Sequence, residues 1–425
     1  MMLKTLTIAG AAALLSAGFG ATGAQAQDCT IPLGAVFPLT GPNGSIGEPI
    51  AEVGRWAVEQ FNEAGGVHGC EVEYLLRDTQ GQPAVGVDAA RNLVDVQGVP
   101  ALLGAISSGV SLPILTSVTA PSQVTHVSCC SSSPSFTELA RSGESGGYFF
   151  RTLPTSRAQG VVMGRLARDQ GYENVSVIYL NTDYGVNLAA EFEDAFESWG
   201  GNVLESVAYN QEQASYRPEV NTALAVEPEA LILIAFPVDG ATILREWVSF
   251  GGPQEYVLSN ALRSDDVLSA VGAQYLEGAL GVDNAQVTGP SVEQFNADYQ
   301  AAFNEDPNRP GIHINYDAAA VTLLAMQASE EVTGTSIRDN IRAVTDPSGT
   351  EVYPGVEGFR QAIELLEAGE TIRYVGATGP LSFDENGDVA GPVLVWTVAD
   401  GALAEDHVVT IDEVNELFAE LAAMQ

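Results

Sequence analysis

"IPLGAVFPLTGPNGSIGEPIAEVGRWAVEQFNEAGGVHGCEVEYLLRDTQGQP", residues 31–83, holds the pattern from which the rest of the chain can be read. Its apolar run Ile31–Leu39 has the density of a strand buried on both faces. After a glycine-rich turn, Pro49–Ala64 places its apolar residues at helical spacing, and Val72–Leu76 returns to a short strand. Strand, helix, strand without a tight hairpin between them predicts two parallel strands joined by a crossover helix.

The alternation continues outward from this unit. Ala101–Gly104 and Thr125–Ser128 read as further strands, with helical spacing over Val85–Val96 and Val110–Ala120. A second series follows Arg151. Its strands are Val175–Leu180, Val203–Ala208, Ala230–Ala235 and Tyr256–Ser259, and its helices Gln159–Gln170, Leu188–Trp199, Tyr216–Ala225 and Ala241–Phe250. Two such series predict an α/β protein of two doubly wound, Rossmann-like lobes with a cleft between them. The third part breaks the rhythm. Ser291–Asn304, His313–Ala328, Ser336–Val344 and Gly358–Ala368 read as helices, Pro392–Val398 as a last strand, and a helix with one apolar stripe starts at Ile411.

Residues 1–26 read as a secretory leader: Lys4, an apolar run Leu6–Leu15, and Ala24-Gln25-Ala26 as a cleavage signal. That run is too short to span a bilayer. Cys29 is third after the expected cut rather than first, which favours a free protein over a lipid-anchored one. The formal charge of −38 becomes −39 without Lys4, and no other lysine exists. So acidic a chain repels nucleic acid and anionic membrane, and its dispersed charge fits a saline habitat or a compositional bias of the lineage. It says little about a ligand.

Catalytic signatures are missing. Gly18-x-Gly20-x-x-Gly23 matches a dinucleotide fingerprint but lies in the leader, and Gly104–Gly109 has the wrong glycine spacing for a nucleophile elbow. His68, His126, His313 and His407 form no metal pair, so neither metal nor cofactor is expected. Loops after the strands carry more information: Thr40–Gly47, Ser107–Gly109, Cys129–Ser135 and Asn181–Gly185 are rich in hydroxyls and glycine, and ligands of open α/β sheets bind at such ends. A convergence of hydroxyls and backbone N–H groups suits a carboxylate.

Cys29 and Cys70 each precede a strand, whereas Cys129 and Cys130 follow one. The ends of a strand such as Ile31–Leu39 lie roughly 25 Å apart, and a disulfide spans only about 4.4–6.8 Å between Cα atoms. Cys29–Cys70 is the pairing this allows, with Cys129 and Cys130 bonded to each other or left as free thiols.

The opening stretch, "YFFRTLPTSRAQG" (148–160), "VIYLNTDYGVNLAAEFEDAF" (177–196) and "GPLSFDENGDVAG" (379–391), taken in this order, resembles the periplasmic branched-chain amino-acid-binding proteins of ABC transporters. The resemblance implies a type I periplasmic-binding fold whose lobes are joined by three crossovers, near Arg151, Val282 and Gly391. Residues 27–151 and 282–390 then form one lobe, 152–281 and 391–410 the other, and 411–425 a terminal helix. It implies a monomeric, non-enzymatic periplasmic receptor that closes on a small molecule and presents it to an inner-membrane ABC permease. A sensor feeding a membrane signalling protein would have the same sequence.

Carried over residue by residue, Ser108 matches the serine that binds the ligand carboxylate. Cys130, Ser131 and Ser132 fall where backbone and hydroxyl groups complete that contact, and Tyr184 matches an aromatic closing over the ligand. Three positions depart from the family. Phe236 replaces a tyrosine, Ile46 an aromatic wall residue, and Asn260 stands where an acid holds the amino group. An unpaired buried ammonium costs several kcal/mol. Either Asp183 or Asp239 takes over the amine, or the ligand is a carboxylate or amide without one.

Overall fold

The computed structural model describes residues 29–41, 43–285 and 287–424, so the expected leader lies outside the described residues. β1 (Thr30–Phe37) and β2 (Glu71–Asp78) pair in parallel over eight residues, from Thr30 beside Glu71 to Phe37 beside Asp78. The helix Gly44–Ala64 between them buries Ile50, Val53, Ala57, Val58 and Phe61, the stripe its spacing predicts. β3 (Ala101–Gly104), β4 (Thr125–Ser128) and β5 (Phe149–Arg151) extend this sheet in the order β2-β1-β3-β4-β5, all parallel.

The second sheet starts with β6 (Asn174–Leu180), β7 (Asn202–Tyr209), β8 (Ala230–Ile234), β9 (Tyr256–Leu258) and β10 (Leu280–Asn284). A small sheet of β11 (Thr350–Val352), β12 (Ile372–Gly376) and β13 (Gly379–Pro380) flanks the first lobe. β14 (Val393–Ala399) and β15 (Ala402–Val409) then return to the second sheet, whose order is β15-β14-β10-β9-β8-β6-β7. Both added strands are antiparallel. The boundary expected at Val282 is displaced. Val282 pairs with Val395 of β14, and the chain leaves the sheet only after Asn284.

Each lobe has its own core. In the first, the helix Ile312–Gln327 is buried on almost every side, its polar residues Asn315, Asp317 and Thr322 included. Trp56 sits among Phe295, Tyr299, Phe303 and Tyr316 with ring centroids 5.4–6.2 Å apart. The second core surrounds Trp247 and Trp396. Cys29 and Cys70 are bonded with Cα atoms 4.9 Å apart, at the starts of β1 and β2, and Cys129 is bonded to Cys130 just beyond β4.

Candidate functional site

A cavity of about 620 Å³ lies between the lobes, outside the carboxyl ends of the parallel strands of both sheets. From the first lobe it is walled by Ser45, Ile46, Pro49 and Ile50, by Ile106 and Ser107 after β3, by Cys130 after β4 and by Leu153 after β5. Gly47 lets this wall form: a Cβ there would collide with the Pro38 carbonyl oxygen. Ile46 reaches across to pack on the second lobe's core.

The second lobe supplies Tyr184 after β6, Phe236 and Pro237 after β8, and Asn260 to Asp266 after β9, Leu262 excepted. Tyr184 stacks on Phe236 with centroids 5.7 Å apart, and its hydroxyl donates to Asn260 Oδ1 at 2.7 Å. Burial raises the Tyr184 phenol above its ordinary range, and the Asp283 charge adds to that. Beyond this aromatic floor the wall is charged. Arg263 meets Asp283 at 3.4 Å and Glu405 at 3.1 Å. Burial outweighs Arg263 and pushes the Asp283 carboxyl up to about 6. The segment Asp306–Ile312, without Pro307, closes the remaining side.

Five of the residues singled out from sequence therefore meet at one cavity: Ile46, Cys130, Tyr184, Phe236 and Asn260. The serines are arranged differently. Ser108 lies behind Ser107, and its Oγ accepts from the Ser133 amide at 3.2 Å. Ser131 Oγ donates to Ala105 O at 3.1 Å, and Ser132 is buried with its carbonyl accepting from the Ser156 amide. From these loops, Ile106, Ser107 and Cys130 line the cavity.

Arg151 explains why that loop is held so firmly. Its guanidinium is fully buried, pairs with Asp388 at 2.6 Å, and donates to the carbonyls of Ser131 and Ser133 at 3.0 and 2.7 Å. Thr137 bridges both charges, donating to Asp388 at 2.6 Å and accepting from Arg151 at 2.8 Å. The "FFR" and "FDENGD" segments are thus two halves of one brace behind the loop after β4.

Neither acid expected to take an amine lines the cavity. Asp239 is buried at the head of the helix Pro237–Ser249, where the Tyr216 hydroxyl donates to its Oδ1 at 2.5 Å. Asp183 is half-buried in the first turn of the helix Asp183–Ser198. The charged lining residues Arg263, Asp283, Glu405 and Arg309 went unrecognised because no local motif marks them. A small molecule with an apolar body and a polar head fits such a space. Among the described residues no three His, Cys, Asp or Glu gather to hold a metal, and no helix is long and apolar enough to cross a membrane.

The profile of the family described as "Periplasmic binding protein" matches residues 30–402. The chemotactic signal transduction system substrate-binding protein of Halobacterium salinarum is 30% identical over 359 residues, 82% of each chain. The leucine-, isoleucine-, valine-, threonine- and alanine-binding protein of Pseudomonas aeruginosa is 25% identical over 388 residues, 89% of this chain and 91% of that one. In fold, the chain resembles a leucine-binding protein of Thermotoga maritima with a TM-score of 0.76 and 23% identity, covering 90% of this chain and 99% of the other.

Proposed function

Because the chain belongs to the periplasmic branched-chain amino-acid-binding family, we propose that it captures a small carboxylate-bearing solute, a branched-chain amino acid or close relative. It closes on that solute by hinge motion and presents it to an inner-membrane ABC permease. The observation that carries this reading is the cavity itself, where Tyr184 and Phe236 of one lobe face Ile46 and Cys130 of the other. The apolar side chains suit an aliphatic or aromatic body, while Ser107 and the braced loop after β4 suit a carboxylate. In this reading residues 1–26 are a leader removed after Ala26, and the receptor works as a periplasmic monomer without catalytic activity.

A thermal-shift screen against amino acids, plain carboxylates and amides tests it. A true ligand at 100 times its dissociation constant adds about 2.7 kcal/mol of stability. Silence across all three classes would count against the assignment.

A second reading has its own support. The Halobacterium relative is a chemotactic substrate-binding protein, so delivery of ligand occupancy to a membrane signalling protein is the alternative to transport. Ligand-dependent stimulation of a reconstituted permease ATPase favours transport; ligand-dependent binding to a chemoreceptor without such stimulation favours sensing.

A further inference from the structure

We propose that Asp283 receives the cationic group of the ligand and thereby selects solutes that carry a protonated amine, an inference that rests on the cavity being the solute site. Strand register carries the placement. β9 and β10 run parallel, with Leu280 beside Val257 and Gly281 beside Leu258. β9 ends at Leu258 and passes into the 3₁₀ turn Asn260–Leu262, while the neighbouring β10 runs on to Asn284, and both Asn260 and Asp283 line the cavity. The acid absent from position 260 is therefore present on the neighbouring strand.

The chemistry agrees. Asn260 is neutral, and its Oδ1 already accepts from Tyr184. Asp283 is a carboxylate short of positive charge. Its Oδ1 accepts from the Asn284 amide at 2.7 Å, and its Oδ2 meets Arg263 at 3.4 Å, long for an ionic hydrogen bond. Arg263 is itself shared with Glu405. The carboxyl remains pushed up to about 6 beside this arginine, so burial is incompletely offset. The other charged groups lining the cavity are Arg263, Asp265, Asp266 and Glu405 from the same lobe, and Asp306 and Arg309 from the opposite side. Four acids against two arginines make the lining acidic even before Asp283 is counted. An ammonium at Asp283 supplies the missing positive charge.

Calorimetry near neutral pH with three related probes tests the assignment: leucine, 4-methylpentanoate, which lacks only the amine, and 3-methylbutylamine, which lacks only the carboxylate. Wild-type protein is expected to prefer leucine over 4-methylpentanoate by about tenfold or more. Asp283→Asn is expected to erase that preference while leaving 4-methylpentanoate within about twofold of its wild-type affinity. Asp283→Glu, which keeps the charge, restores part of it, and thermal unfolding confirms that both variants fold. Equal wild-type affinity for leucine and 4-methylpentanoate overturns the role of Asp283 and leaves the carboxylate reading standing. So does a leucine preference that survives in Asp283→Asn. Binding of 3-methylbutylamine that Asp283→Asn abolishes supports Asp283 even where the carboxylate reading fails. Binding of none of the three overturns both.

Discussion

Asn187, in the helix Asp183–Ser198 of the second lobe, donates from Nδ2 to Ser133 Oγ at 3.1 Å, joining that helix to the loop after β4 of the first lobe. Ser135 Oγ lies 3.4 Å from the same nitrogen. Nearby, Gly109 faces Thr182 so closely that a Cβ would come within 3.3 Å of the Thr182 Cβ. The lobes thus touch at a polar clasp beside the cavity, and a hydrogen bond made only when they meet favours the closed form.

Removing the clasp should therefore weaken binding more than folding. Asn187→Ala is expected to raise Kd about two- to tenfold, the equivalent of one hydrogen bond of about 0.5–1.5 kcal/mol. Gly109→Val should act in the same direction by wedging the lobes apart. Small-angle scattering supplies the check: wild type shrinks on ligand addition, and Gly109→Val shrinks less. An unchanged wild-type profile at saturation would argue against hinge closure.

The Arg151 brace predicts a different split. Arg151→Met leaves Asp388 buried without its cation and should cost about 3–5 kcal/mol in urea unfolding. Arg151→Met with Asp388→Leu removes both charges and should recover much of that loss. Ligand affinity should stay low in both variants, because the carbonyls of Ser131 and Ser133 have lost the donors that position them. Recovery of affinity together with stability would refute a positioning role for Arg151.

Stability should also depend on salt. With a formal charge of −38 and exposed ion pairs that each contribute little, self-repulsion is large at low ionic strength. Screening contracts to about 3 Å at 1 M salt. The melting temperature is expected to climb steadily toward molar sodium chloride, and a flat or falling curve would speak against saline adaptation.

Acidity should act in a defined direction. Asp283 and Asp317 are both buried, and burial raises each carboxyl from 3.8 to about 6. The folded protein then binds these protons more tightly than the unfolded chain does. Their contribution is complete below the unfolded value and is lost as pH rises through about 6. Relief of surface repulsion on acidification has the same sign, so the informative quantity is a difference. Between pH 4 and 6 the stability of wild type should fall more steeply than that of Asp283→Asn. Parallel slopes would show that Asp283 titrates normally.

The two-lobed α/β architecture was legible because its long parallel strands are apolar throughout, as in Ile31–Leu39 and Ala230–Ile234. Several other strands were not. β5 has three residues, β10 ends in Gly-Val-Asp-Asn, and β15 (Ala402–Val409) is an edge strand whose outer residues are acidic. The candidate site divides along the same line. Tyr184, Phe236 and Asn260 each follow a recognisable strand, so position alone brings them to the rim. Asp283 sits within a strand that has no apolar signature, and only its pairing with β9 reveals it. Spacing does not say which hydroxyl of a serine-rich loop turns inward, and Ser107 rather than Ser108 lines the cavity.

The brace behind the loop after β4 also orders events during synthesis. Arg151 and Asp388 are 237 residues apart, and the almost wholly buried helix Ile312–Gln327 is made long after the sheet it covers. As the chain emerges, the five parallel strands of the first lobe have neither their central helix nor the partner of their one fully buried arginine. Most of the second lobe, from Ser156 to Asn284, is contiguous and can assemble first. The lobe that begins the chain thus cannot be completed until most of the second has been made, and a nascent chain stopped before Asp388 should remain protease-sensitive in its first 150 residues.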